Sequence, residues 1–393
     1  GVTRENLTGI RVIRAFNAEG YQQNKFEDVN TNLTNMQLFN QKAFSVLSPV
    51  MYLVMYFLTL AIYFVGAGLI KDALMAEKLA LFGNMIVFSS YAMQIIMSFL
   101  MLAMIFMMLP RAQVSANRIN EVIDTEISIK DGTLDKDTTN ERGTVEFKDV
   151  SFKYPDAEEY LLRNISFKAE KGQTVAFIGS TGSGKSTLIN LIPRFYDATE
   201  GDVLVDGVNV KEYKGEFLHN KIGYVSQKAV MFDGTVASNV SYGDNGKPEL
   251  TEEQIKEAIK VAQGKDFVER MDDKYNTHIA AGGTNVSGGQ KQRLSIARAI
   301  ARDPEIYIFD DSFSALDYKT DVVLRKALKE HTGDSTCLIV AQRIGTIINA
   351  DKIIVLDDGK VVGEGTHKEL LKSCDVYKQI ALSQLSKEEL DNE

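Results

Sequence analysis

Two long uncharged runs constrain this chain more than any other feature. From Ala43 through Ile70, and again from Leu79 through Pro110, no Asp, Glu, Lys or Arg occurs. Both runs exceed the ~20 residues an α-helix needs to cross a bilayer. A charged residue at the centre of a membrane helix costs about 2.5–3.5 kcal/mol, so runs this clean are expected as membrane helices, 43–70 and 79–110. The octet between them, KDALMAEK, supplies a short exposed turn. The competing fold is a hairpin inside a large soluble core, and two such runs joined by eight residues suit it poorly. Two crossings return the chain to its starting side, so residues 1–42 and everything after Arg111 share one compartment.

The remainder divides by composition. At 393 residues the chain exceeds one ordinary domain. Thr3 to Asn40 reads as a long amphipathic helix, and because the chain opens on Gly-Val without a signal peptide, upstream sequence is expected to be missing. Residues 1–125 therefore form the C-terminal part of a membrane domain, with a helix-like extension over 111–125. Polar DGTLDKDTTNERG marks a linker over 126–142, and a mixed α/β domain follows over 143–393. Cys337 and Cys374 have no partner spacing and read as reduced structural thiols, and the four histidines show no metal spacing. A net charge of −9 without a basic stripe argues against a nucleic-acid partner.

Two glycine-rich strings carry the chemistry. GSTGSGKST, from Gly179 through Ser180, Thr181, Gly182, Ser183, Gly184, Lys185 and Ser186 to Thr187, fits G-x-x-x-x-G-K-[ST]. In that pattern backbone N–H groups surround the phosphates of a nucleotide, Lys185 reaches the β and γ oxygens, and Ser186 ligates Mg²⁺. The second string, Val286-Ser287-Gly288-Gly289-Gln290, precedes a helical-looking segment and offers another anion site. Four short apolar segments, Thr174–Ile178, Ile222–Val225, Ile306–Phe309 and Cys337–Val340, look like buried parallel strands. They lead to Gly179, Gln227, Asp310 and Gln342. Ligands of open α/β sheets bind beyond the carboxyl ends of strands, so these residues are expected to converge. Ser186 and Asp310 would then hold Mg²⁺, and Gln227 would touch both the metal and the attacking water. Residues 228–301 turn helical and read as an inserted subdomain. Tyr154 is either a strand aromatic or a platform for adenine. An ATP-binding domain makes its side of the membrane the cytosol, and Lys42 and Arg111 on that side agree with the bias of positive charge.

In order, the phosphate loop, VSGGQ, the strand ending in Asp310, and Ser314-Ala315-Leu316-Asp317 resemble the ATP-binding cassette (ABC) transporter family, in particular bacterial exporters that fuse membrane helices to the cassette. Tyr154 and Gln227 fit the same pattern, and the resemblance makes Tyr154 an adenine platform. RENLTGIRVIRAF looks like the intracellular loop before the family's fifth membrane helix. The two helices would thus be the last two of six. The implied fold class is an α-helical membrane segment followed by an α/β phosphate-loop cassette with a helical subdomain. The resemblance implies ATP and Mg²⁺, a membrane-lipid setting in the cell membrane, and a small-molecule, lipid or peptide cargo.

Similar exporters that hydrolyse ATP briskly carry Glu after the metal-binding Asp and His at the switch position, whereas this chain has Asp311 and Gln342. Asp withdraws the carboxylate by one methylene, and a misplacement near 1 Å costs on the order of a hundredfold in rate. Gln cannot become cationic against a γ-phosphate. Ala281 also stands where such exporters usually have glutamate. In this family two cassettes sandwich two nucleotides, each site combining one chain's phosphate loop with the other's signature string. The resemblance therefore implies a heterodimer in which Asp311, Gln342 and Gln227 form a slow site while Ser287, Gly288 and Gly289 complete the partner's site. The alternatives are a homodimeric exporter with a working Asp311, and a regulatory ATP-binding membrane module. Soluble cassette ATPases of DNA repair lack such uncharged runs.

Overall fold

The computed structural model describes residues 1–384, apart from the side chains of Ala43, Phe44 and Tyr318; the last stretch of the expected cassette, 385–393, lies outside them. The chain divides into two units, Gly1–Glu126 and Ile127–Glu393.

The first unit has three helices: α1 (Val2–Ala15), α2 (Glu19–Asp72) and α3 (Met75–Ile123). Residues 3–40, expected as one helix, are broken at Asn17. Its φ of 50° is left-handed, and Ala18 N–H donates to Ile13 O at 2.9 Å, closing α1 with asparagine in the place glycine usually takes. α1 then folds back along α2, where Lys25 Nζ meets Glu5 Oε1 at 2.7 Å. Each uncharged run sits inside a helix much longer than itself, and the octet turn shrinks to Ala73 and Leu74, both extended. Both long helices have the length and apolar composition to cross a membrane, and few residues in their apolar windows are buried. The two helices approach closely at Gly66, where an added Cβ would fall 2.6 Å from Met85 Sδ. Asn84 lines the neighbouring groove of about 420 Å³.

The second unit is built on two sheets. Strands β1 (Val145–Phe152), β2 (Leu162–Ala169), β4 (Glu200–Val205) and β5 (Val208–Asn209) form an antiparallel sheet in the order β2-β1-β4-β5. β3 (Thr174–Gly179), β6 (Ile222–Val225), β7 (Ile306–Asp310), β8 (Thr336–Val340), β9 (Lys352–Asp357) and β10 (Lys360–Gly365) form the other, in the order β10-β9-β3-β8-β7-β6. All its pairings are parallel except β9 with β10. The four expected strands are the contiguous set β3-β8-β7-β6. Their continuous apolar runs follow from burial on both faces. Side chains alternate between two cores: Val175 and Phe177, Ile306 and Ile308, and Leu338 and Val340 enter one. Ala176 and Ile178, Tyr307 and Phe309, and Cys337 and Ile339 enter the other. Both cysteines are free and buried, and burial pushes the Cys337 thiol up to about 11.

Within residues 228–301 lie α5 (Glu252–Val261) and α6 (Gly288–Ala301), plus a short pairing of Gly234–Thr235 with His278–Ile279. Ser287 caps α6, its Oγ accepting from Gln290 N while Gln290 Oε1 accepts from Ser287 N. The polar stretch expected as a linker is, from Asp131 onward, a strap bound to this unit. Gly132 N–H donates to Tyr213 O, Leu134 N–H to Glu212 O, and Lys214 N–H to Leu134 O. Buried Lys221 sits beneath it, 2.7 Å from Asp137 and from Asp206 and 3.2 Å from Glu305. Burial alone would lower the Lys221 pKa, but the bonds to Asp137 and Asp206 outweigh it and hold the ammonium above its ordinary value.

Candidate functional site

The site begins where β3 ends. Gly179 pairs with Leu356, and an added Cβ there would lie 2.0 Å from Leu356 O, so only glycine lets the two backbones approach this closely. After Ser180, Thr181 and Gly182 the chain turns into α4 (Lys185–Asn190) through Gly184, whose φ of 92° is left-handed. Ser183 N–H closes the loop on Ser180 O, and its buried Oγ faces Lys185 Nζ at 3.3 Å. Lys185 Nζ also donates to Gly179 O at 2.9 Å and Ser180 O at 2.7 Å, which centres its charge within the loop. Burial lowers the Lys185 pKa, opposed by the charges of Asp311 and Asp310.

β7 delivers two acids in succession. Asp310, at its end, accepts from Ser186 Oγ at 2.8 Å. Asp311 follows in a left-handed conformation, φ 45°, and its N–H donates to Val340 O. That twist turns its carboxylate toward the ends of β6 and β8. Gln342 Nε2 donates to Asp311 Oδ2 at 2.6 Å and Gln227 Nε2 donates to the same oxygen at 3.3 Å. Burial raises both carboxyl pKa values, opposed at Asp310 by Ser186 and at Asp311 by Gln227. The strand ends thus bring together Ser186 with Asp310, and Gln227 with Asp311 and Gln342.

Tyr154 stands just past β1. Its hydroxyl is 2.9 Å from Thr187 Oγ1, and its ring is nearly perpendicular to those of Phe152 and Tyr196. Ser314 Oγ donates to Asp311 O at 2.9 Å, tying the following turn to the acid. Beyond Ala315 and Leu316, Asp317 caps α7 (Tyr318–His331), accepting from Thr320 N. A Cβ on Gly289 would lie 3.4 Å from Ala315 O, whereas one on Gly288 would meet nothing within 4 Å. Val286 packs against the core. Among the described residues no hydrogen bond or ion pair joins Ser287–Gln290 to Gly179–Thr187.

The donor set suits a magnesium nucleotide. Ser186 Oγ and a buried carboxylate supply hard oxygen ligands, and Mg²⁺ is usually held by one or two carboxylates together with substrate phosphates. Two residues in the site escaped sequence reasoning. Ser312, fully buried, donates to Val225 O and Asp310 O, cross-linking the ends of β6 and β7. Gln292 Nε2 donates to Ser226 O at 3.4 Å, linking α6 to the segment that carries Gln227. Neither belongs to a local pattern; a serine beside two acids and a glutamine inside a helix carry no signal of their own.

A phosphate loop on a parallel sheet, an acidic strand end and a capped SGGQ helix define an ATP-binding cassette. The chain belongs to the ABC transporter family, which it matches over residues 162–314, and it matches the ABC transporter transmembrane region over residues 1–99. Similar proteins include an uncharacterized ABC transporter ATP-binding protein of Mycobacterium tuberculosis, 44% identical over 384 residues, 98% of this chain and 65% of its own. The ATP-dependent lipid A-core flippase of Pseudomonas aeruginosa is 35% identical over 380 residues, 96% of this chain and 61% of its own. A solved bacterial Atm1-family ABC exporter with ATP bound superposes with a TM-score of 0.84 at 27% identity, covering 98% of this chain and 66% of that one. The chain spans about two thirds of the length of the relatives it matches.

Proposed function

We propose that this chain is part of one subunit of an ATP-driven exporter in the cell membrane, its cassette on the cytosolic side, and that its own nucleotide site hydrolyses ATP slowly. The observation that carries the slow site is the pair of amides on Asp311 Oδ2. The two amides are neutral and fix a carboxylate one methylene shorter than glutamate at the strand ends, so the base that Gln342 positions through Oδ2 must take the proton through its other oxygen and from a greater distance. Gln342 brings no positive charge to offset the γ-phosphate. Lys185 would neutralise phosphate oxygens, Ser186 and Asp310 would hold Mg²⁺ with Gln227 beside them, and Tyr154 would carry adenine. Mg²⁺, when bound, supplies charge neutralisation across the phosphates.

Gly288 supports the reading that the second string serves another nucleotide. Gly288 opens its helix, and among the described residues nothing lies within 4 Å of where its Cβ would stand, so packing within this chain does not call for glycine there. Close approach by a phosphate held on a second cassette supplies the missing reason. We infer a different partner subunit, one carrying Glu and His at the corresponding positions, and a small-molecule, lipid or peptide cargo. Relatives named as a lipid flippase and as an exporter support the transport class.

Reconstituted vesicles test the function. ATP-dependent uptake into inside-out vesicles should disappear with Lys185→Ala; absence of flux from the intact assembly under every nucleotide condition favours a nucleotide-sensing membrane module instead.

A further inference from the structure

We propose that Gln384 is a positioning residue for the Asp311–Gln342 pair. It ends the helix α8 (Asp375–Gln384), 42 positions after Gln342, and the fold brings the two together. Its side-chain amide spans a three-residue backbone segment: Nε2 donates to Gln342 O at 2.8 Å and Oε1 accepts from Ile344 N at 2.8 Å. A planar amide bonded on both sides of Arg343 fixes position and orientation together, as a paired strand does. The clamp stands on a firm base. Ala381, three residues before Gln384 and so on the same helix face, is fully buried, as is Tyr377, and both share a core with Ile344 and Ile347. Tyr377 is further tied to buried His367, its hydroxyl 2.7 Å from Nδ1. From the backbone so held, the Gln342 side chain reaches Asp311 Oδ2. Gln384 and Gln342 are themselves exposed, so water competes for an unclamped segment, and the helix end decides how often the amide stays on the acid.

The inference rests on the reading of Asp311 and Gln342 as the hydrolysis site, and its test separates the two. The assembled transporter is studied in lipid, following the phase of single-turnover ATP hydrolysis that Lys185→Ala abolishes. Gln384→Ala should slow that phase about three- to tenfold, with ATP affinity changed less than about twofold. Gln384→Glu keeps the acceptor for Ile344 N, loses the donor to Gln342 O, and should fall between. In a Gln342→Ala background Gln384→Ala should slow hydrolysis no further. Hydrogen exchange at the Ile344 amide should quicken in Gln384→Ala whatever the site's rate. Unchanged exchange, an unchanged rate, or an equal loss in both backgrounds overturns the positioning role, the last marking a merely structural helix end. If instead Asp311→Asn leaves the phase untouched while exchange at Ile344 still quickens, it is the hydrolysis-site reading that fails, and the clamp's catalytic consequence falls with it.

Discussion

Asp311 is held by neighbours that each come from a different strand end, and its chemistry follows from them. Replacing Asp311 with Glu and Gln342 with His together supplies both reach and a titratable partner, so hydrolysis at this chain's own site should rise about ten- to hundredfold, read by phosphate release with the partner's site silenced by Ser287→Arg. An unchanged rate would place the limit elsewhere. Burial holds Asp311 above the ordinary carboxylate range, and a base works only when ionised, so activity is lost as pH falls through that raised value. Donors to the carboxylate favour its charged form. With the partner's site silenced, Gln342→Ala should therefore move the acid limb of kcat/KM to higher pH, and a limb that stays in place or moves down contradicts this account. The identity of both residues is legible in the sequence, because Asp311 follows the acid of an apolar strand and Gln342 follows another such strand by two. Their shared oxygen is not legible. Which side-chain atoms meet depends on the left-handed turn at Asp311, a conformation that Asp tolerates without demanding.

Elements were legible in proportion to how strongly burial shaped them. β3, β6, β7 and β8 lie inside the parallel sheet and read as uninterrupted apolar runs, and both membrane helices announce themselves by absence of charge. The antiparallel sheet of β1, β2, β4 and β5 mixes buried and exposed positions, as in Leu162–Ala169, where Arg163, Asn164 and Ser166 face water. Its signal is diluted accordingly. Within the cytosol-expected helix, the break at Asn17 had a signal, since asparagine is the commonest stand-in for glycine at a helix end. The strap is the opposite case: a polar composition suggested freedom, and the docking shows in backbone bonds at Gly132 and Leu134 and in buried Lys221, none of which a sequence pattern announces. Lys221→Met should destabilise the cassette by about 3 kcal/mol in denaturant unfolding, because Asp206 is left as a buried uncompensated charge beside Glu305. Asp137→Asn, removing a half-exposed member, should cost less than about 1 kcal/mol. Equal losses would mean the strap, rather than the buried pair, carries the stability.

At the scale of the whole molecule, the proposed division of the two glycine strings between two nucleotides is tested by a bulky charge. Ser287→Arg removes the cap of α6 and projects a cation where a second cassette's phosphates would rest, so hydrolysis at the partner's site should drop by more than about tenfold while ATP binding on Gly179–Thr187 persists. Radiolabelled nucleotide trapping on each chain measures both; turnover that survives undiminished contradicts a shared site. The bound strap bears on the same event from another direction. With α3 ending at Ile123 and the first strap contacts at Asp131 and Gly132, only about eight residues remain as leash, no more than ~28 Å when fully drawn out. A cassette on so short a leash searches a small volume, so in the proposed assembly its meeting with a second cassette would proceed at an effective concentration in the millimolar range rather than at that of the cell.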